Sequence, residues 1–189
     1  MGTKSLQFPP ETRLQKLSAE QGSERDIEVP AGFSHYSISL RGNKTRAYIF
    51  HLRHPGTQLL VTGTVIALGE ECPTLNTQSI HHSPQTLAET RIRTLSYDAA
   101  QPHYNGLIHI DSGSHSCESY LNHHTLLLGE KARSWTRPSL EILNDQVKCS
   151  HAATVRTLTE EDVFYLRARG VGKKEAEELL IEAFLADVA

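Results

Sequence analysis

The sequence has little aromatic material, few cysteines and no long hydrophobic run, and each shortage removes a class of protein. Phe, Trp and Tyr make up 6% of 189 residues. The core therefore has to be built from Leu, Ile, Val and Ala, a mixture expected where many short strands stack rather than where large rings anchor helices. Cys72, Cys117 and Cys149 form no Cys-x-x-Cys pair and cannot all pair within the chain. That argues against a secreted disulfide scaffold and for a reducing compartment. No stretch approaches the ~18 apolar residues of a spanning helix. The opening Met1-Gly2-Thr3-Lys4-Ser5-Leu6 has no apolar signal core, and Leu6 stands where a myristoylation motif requires Ser or Thr. The expectation is a soluble, cytoplasmic protein without a membrane partner. A net charge of -3, from 19 Lys+Arg and 22 Asp+Glu, gives no global attraction for nucleic acid. A Walker-type phosphate loop, a G-x-S-x-G elbow and an H-E-x-x-H pair are all missing, so a free-standing hydrolase is not expected.

What the chain does have is a run of strand-length pieces. Residues 1–25 are polar, broken by Pro9-Pro10 and a Gly22-Ser23 step, and read as an arm with at most one short helix around Glu11 to Glu20. From Asp26 the texture changes to short apolar or alternating runs: Tyr36 to Leu40, Ala47 to Phe50, Gln58 to Leu68, Arg91 to Tyr97, Gly106 to Ile110, Thr125 to Leu128, Leu140 to Leu143 and Val147 to Val155. No long 3.6-residue apolar period lies between them, so the helical crossovers of an α/β sheet are absent. An antiparallel sandwich or barrel and a β-solenoid remain. Asn105-Gly106 is the lone hairpin dipeptide between strand-like runs, a scarcity that favours the solenoid. The core is thus expected over residues 26–156.

Residues 157–189 read as a helical hairpin. Thr159 offers an N-cap hydroxyl and Asp162 a carboxylate three residues on, predicting a helix to Arg169. Gly170 suits a left-handed closing residue. A second helix from Lys173 places Ala176, Leu179, Leu180, Ala183, Phe184 and Val188 on one face, a stripe that serves either packing on the β domain or a partner.

Eleven histidines are many for this length. The most informative sits in Val147-Lys148-Cys149-Ser150-His151-Ala152-Ala153-Thr154-Val155. On an extended strand Cys149 and His151 share a face, and thiolate plus imidazole suit iron, zinc or a nascent iron–sulfur cluster. Two ligands do not close a site, so another chain, another strand or the cluster's own sulfides must supply the rest. A buried structural cysteine beside a hydrogen-bonded histidine gives the same pattern. In His81-His82 and His123-His124 the members of each pair point to opposite faces. His51 and His54 are expected in a loop before Pro55, and His109 on a solvent face. A small His-metal β-fold enzyme is an alternative that this inventory leaves open. So is a helix-hairpin-helix DNA binder built on Gly170-Val171-Gly172-Lys173-Lys174, although Glu175, Glu177 and Glu178 oppose phosphate binding.

The order Leu126-Leu127-Leu128-Gly129-Glu130-Lys131-Ala132-Arg133, Arg137-Pro138-Ser139-Leu140-Glu141-Ile142, Val147 to Val155, Phe164-Tyr165-Leu166-Arg167-Ala168-Arg169-Gly170 and Glu175 to Phe184 resembles the C-terminal signature of the SufB/SufD family, on its SufD side. The looser His81-x-x-Pro84-x-Thr86 and Tyr104 to Ile108 fit as well. The resemblance implies a mainly β fold, a right-handed parallel β-helix with a C-terminal two-helix hairpin. It also implies a scaffold, not an enzyme, for iron–sulfur cluster assembly in the SUF system. Its partners would be a SufB-like subunit or a second copy of itself, and a SufC-type ABC ATPase. Cys149 and His151 would help hold iron or a transient cluster shared with the partner chain. Phe164, Tyr165, Leu166, Arg167, Arg169, Leu180 and Phe184 would fall in the ATPase-binding region. On this resemblance Ile142 would stand where SufB carries its interface cysteine.

Overall fold

The computed structural model describes residues 14–17 and 23–188. Eleven strands and two helices follow one another: β1 (Leu14–Leu17), β2 (Glu24–Glu28), β3 (Phe33–Arg41), β4 (Thr45–Leu52), β5 (Gln58–Ala67), β6 (Thr74–His81), β7 (Leu87–Tyr97), β8 (His103–Ile110), β9 (Glu118–Leu128), β10 (Trp135–Ile142), β11 (Lys148–Thr157), α1 (Glu160–Arg167) and α2 (Lys173–Leu185). The odd strands form a six-stranded sheet in the order β1-β3-β5-β7-β9-β11, and the even ones a five-stranded sheet in the order β10-β8-β6-β4-β2. Every pairing is parallel. The chain alternates between the sheets, so each coil of the solenoid is one odd and one even strand, and the architecture is a parallel β-helix rather than a sandwich of hairpins.

Alternate residues of each strand point into the space between the sheets. In β4 these are Tyr48, Phe50 and Leu52, and in β8 Tyr104, Ile108 and Ile110, all buried. Because strands stack in register, the same interior position recurs from coil to coil: Phe50 lies beside Ser79, and Ser79 beside Ile108. The interior is only partly apolar. Thr77, Ser79, His81, Thr90, Thr94, Ser119, His123 and Thr125 are also buried, each 5% exposed or less.

Two sequence expectations change here. Leu14–Leu17 pairs with β3 and Glu24–Glu28 with β4, so sheet structure reaches into the expected polar arm, and no helix covers residues 14–17. Most of the remaining arm lies outside the described residues. Asn105-Gly106 is not a turn but the middle of β8, paired with Asn76-Thr77 and Arg137-Pro138. Glycine is needed there for space, since a Cβ on Gly106 would lie 2.3 Å from Leu121 Cδ1 and 2.9 Å from Tyr104 Oη.

The hairpin follows the expected chemistry. The Thr159 side chain accepts from the Asp162 amide, and the Asp162 carboxylate accepts from the Thr159 amide, closing a capping box at the start of α1. Gly170 takes the left-handed conformation at φ 90°. Lys173 Nζ then meets Glu160 at 2.9 Å, tying the two helices together. α2 is fastened to the outer face of the larger sheet, where Arg93 of β7 donates to the Phe184 carbonyl and pairs with Asp187.

Candidate functional site

The last coil is uncovered. Ile108 and Ile110 of β8 are 2% and 0% exposed, whereas Leu140 and Ile142, stacked on them in β10, are 39% and 38% exposed. The same step occurs across the larger sheet. Ser119, Leu121, His123 and Thr125 of β9 are buried, but the residues in register with them in β11 are Cys149, His151, Ala153 and Val155, and of these only Cys149 is even half-buried. Among the described residues β10 pairs only with β8 and β11 only with β9, so both present a free edge of backbone N–H and C=O groups. Leu143 and Val155 add exposed apolar surface to this end.

Cys149 and His151 therefore share the inward face of the terminal strand, two residues apart. Cys149 packs against the hydrophobic core. Burial, with a smaller contribution from neighbouring Cys117, pushes its thiol up to about 11, so it is a neutral thiol at physiological pH rather than the thiolate its spacing suggests. A metal or a partner's positive charge would have to displace that proton before the sulfur could act as a strong ligand. His151 is exposed, and among the described residues it has no side-chain hydrogen-bond partner.

Beneath this pair runs a buried polar thread that the sequence did not announce. His81 is hydrogen-bonded through Nδ1 to Thr86 Oγ1 at 2.7 Å and through Nε2 to Ser119 Oγ at 3.1 Å. Thr86 Oγ1 lies 3.1 Å from Cys117 Sγ, which also reaches the Ser83 carbonyl at 3.3 Å. Further along, His123 is hydrogen-bonded to Thr94 and Thr136, each at 2.9 Å, and lies against the Tyr104 ring, whose hydroxyl meets Thr77 at 2.7 Å. Burial pushes His81 down to about 4 and His123 down to about 3, keeping both neutral. A cavity of about 360 Å³ borders Cys117 and the Asp145 to Lys148 approach to β11.

The remaining histidines fall into place by strand face. His82 and His124 point away from the interior, opposite His81 and His123, as their adjacency predicts. His51 is not in a loop, because β4 runs to Leu52; only His54 lies in the turn. His51 joins a chain on the outside of the smaller sheet, from Asp26 through His51, His82, Asp111 and His109 to Glu141, with links of 2.7 to 3.0 Å. His109 is thus outward-facing as expected, but held between two carboxylates. Their hydrogen bonds outweigh burial and raise its pKa, although burial is the largest single influence. Among the described residues no group of three or more His, Cys, Asp or Glu side chains is placed to hold a metal ion.

The expected docking residues divide by exposure. Phe164 and Tyr165 are 68% and 60% exposed on α1. Arg167 and Arg169 are exposed, and Arg169 lies 3.7 Å over the Tyr165 ring. Leu166, Leu180 and Phe184 are half-buried. The stripe of α2 is only partly used for packing: Ala176 and Val188 are buried, while Leu179 is 43% exposed. At the Gly170–Gly172 hairpin Lys173 and Lys174 face Glu160 and Glu178, which leaves little free positive charge for a DNA phosphate. No helix is long and apolar enough to cross a membrane among the described residues.

Comparison with known proteins adds an independent line. Residues 19–184 match the family model described as "SUF system FeS cluster assembly, SufBD core domain". Among curated relatives, the iron–sulfur cluster assembly protein SufD of Bacillus subtilis is 30% identical over 177 residues, 94% of this chain and 39% of its own length. SufD of Escherichia coli is 38% identical over 96 residues, 51% of this chain and 23% of its own. SufB of Bacillus subtilis is 32% identical over 106 residues, 56% of this chain and 23% of its own. The chain thus spans well under half the length of these relatives. With the parallel β-helix and the matched core together, the chain belongs to the SufB/SufD family and is SufD-like.

Proposed function

We propose that this chain is a scaffold subunit for iron–sulfur cluster assembly, supplying part of a shared cluster site and a docking surface for an ATPase, with no bond chemistry of its own. The observation that carries this reading is the uncovered last coil, where two inward-facing potential ligands stand on a strand with a free edge. A second parallel β-helix, from a SufB-like subunit or another copy of this chain, would continue the sheets by strand addition and cover Leu140, Ile142 and Val155. His151 and Cys149 would then face donors from the partner. The nascent cluster is cargo of this interface, and the two side chains hold it only while the partner and the cluster's own sulfides complete the shell. The exposed Phe164–Tyr165 face of α1, with Arg167 and Arg169, is assigned to the ATPase, a SufC-type ABC subunit.

Hydrogen exchange on the chain alone and with a SufB-type partner tests the pairing. The amides of β10 and β11 should gain protection while β4 and β6 do not change. Protection confined to α1 and α2 would reject strand addition at this end.

A further inference from the structure

The outer face of the larger sheet carries a different feature. Arg93 of β7, His124 of β9 and Thr154 of β11 stand in one cross-strand column. Arg156 follows two residues beyond Thr154 on the same face of β11. The C-terminal end of α2 and Asp187 just beyond it border the column, and an open cavity of about 340 Å³ is bounded by these side chains with Phe184.

Among the described residues the charges in it do not balance. The guanidinium carbons of Arg93 and Arg156 lie 5.5 and 6.0 Å from the centroid of the Phe184 ring, so two cations converge on one aromatic. Among the described residues the cavity has one carboxylate, Asp187, already engaged by Arg93 Nη2. Arg93 Nε donates to the Phe184 carbonyl at 3.2 Å, while Nη1 is buried and has no acceptor among the described residues. Among the described residues the one carboxylate paired with Arg156 is Asp162, outside the cavity, at 3.8 Å. A buried charged donor without an acceptor is among the costliest groups to leave unmet. His124 is held neutral, its pKa lowered by burial and then by the Arg93 charge, so it adds no third cation to repel the others.

We propose that this cavity binds a small oxyanion of the phosphate class between the Arg93 and Arg156 guanidiniums, with the Thr154 hydroxyl and the His124 ring beside it. Guanidinium donors match the paired oxygens of such an anion, and its charge would offset the local excess. Free phosphate and the terminal phosphate of a nucleotide share this chemistry, and neither is needed for the scaffold role proposed above.

Titration calorimetry of the full chain with inorganic phosphate, and separately with ADP, tests the proposal, together with a pH titration of the His124 ring by NMR. Saturable binding is expected, weakened about tenfold or more by Arg156→Gln and similarly by Arg93→Lys, which keeps the charge opposite Asp187 but loses the fork. Bound anion should also raise the His124 pKa, because it offsets the Arg93 field. Equal affinity for phosphate and ADP would mark the free ion as ligand, and tighter ADP binding a nucleotide; either supports the site. If Arg93→Lys proves misfolded by circular dichroism, Arg156→Gln, at a half-exposed side chain, decides alone. Absent binding, equal weakening by the distant Arg137→Gln, or an unmoved His124 pKa overturns the proposal.

Discussion

Acidification should unfold this protein in a window set by its interior histidines. His81 and His123 are 0% and 1% exposed, hydrogen-bonded to hydroxyls, and pushed down to about 4 and about 3. In the unfolded chain both would titrate near ~6.5. Between that value and the folded one, the unfolded state binds more protons, so stability rises with pH there and is lost as pH falls. Each such group changes stability by about 1.4 kcal/mol per pH unit. Over two units the pair removes about 5 kcal/mol, comparable to the whole net stability of many domains. His35 and His124, also lowered, act in the same direction. His109 acts oppositely: its folded pKa is raised, so its contribution is full below the unfolded value and fades as pH rises through the folded one. Asp111 is lowered, and its contribution is lost only in stronger acid, as pH falls from the ordinary carboxylate range through its folded value. Urea denaturation followed by circular dichroism, at steps from about pH 7.5 to about pH 4.5, should show stability falling steeply below about pH 6.5. His123→Gln, if folded, should lower that slope by the share of one buried histidine, about 1.4 kcal/mol per pH unit. A flat profile across the window, or an unchanged slope in the folded variant, would refute the reasoning.

Gly106→Ala should destabilise the chain by about 1–3 kcal/mol through overpacking against Leu121 and Tyr104, and combining it with Leu121→Ala should cost less than the sum of the two, as read by urea midpoints. Thr159→Ala should cost about 1 kcal/mol of local stability by opening the capping box, visible as faster amide exchange in α1 with the β-helix unchanged. Trp135, the single tryptophan, is 61% exposed at the edge of β10, so its emission should shift to the blue when a partner covers that end. Tyr165→Ala should weaken ATPase binding in a pull-down while leaving urea stability near wild type, since the ring packs on Arg169 rather than on the core.

The solenoid was legible mainly by exclusion: strand-length pieces without crossover helices or hairpin turns left little else, and the family resemblance named the rest. The period itself was hidden because equivalent turn positions need not share a residue. Left-handed backbone recurs at Gly56, Gln85 and Ser116, each lying just before the next strand of the larger sheet, and only one of the three is glycine. β6 went unread because its inward positions are Leu75, Thr77, Ser79 and His81, three of them polar, so apolar alternation fails where the core satisfies hydroxyls with other hydroxyls and imidazoles. Asn105-Gly106, the isolated hairpin dipeptide, carries its glycine for a packing need rather than a turn. At the site, strand alternation did place Cys149 and His151 on one face. It could not reveal that the face lies at an uncovered end, nor that burial keeps the cysteine protonated, because both depend on what the next coil and the residues beneath supply. The outer chain from Asp26 to Glu141 was equally invisible, being assembled across strands far apart in sequence.

The central claim, that His151 and Cys149 contribute to a cluster site completed by a partner, is tested most directly by anaerobic iron and sulfide reconstitution of this chain with a SufB-type subunit. Visible absorbance of the assembled complex is compared for wild type, His151→Ala and Cys149→Ala. The chain alone should hold little iron, and the complex should develop cluster absorbance that His151→Ala lowers markedly and Cys149→Ala lowers equally or less, with the β-helix still folded by circular dichroism. Unchanged cluster yield in both variants within an intact complex would contradict the claim and leave this chain as a platform whose partner holds the cluster by itself.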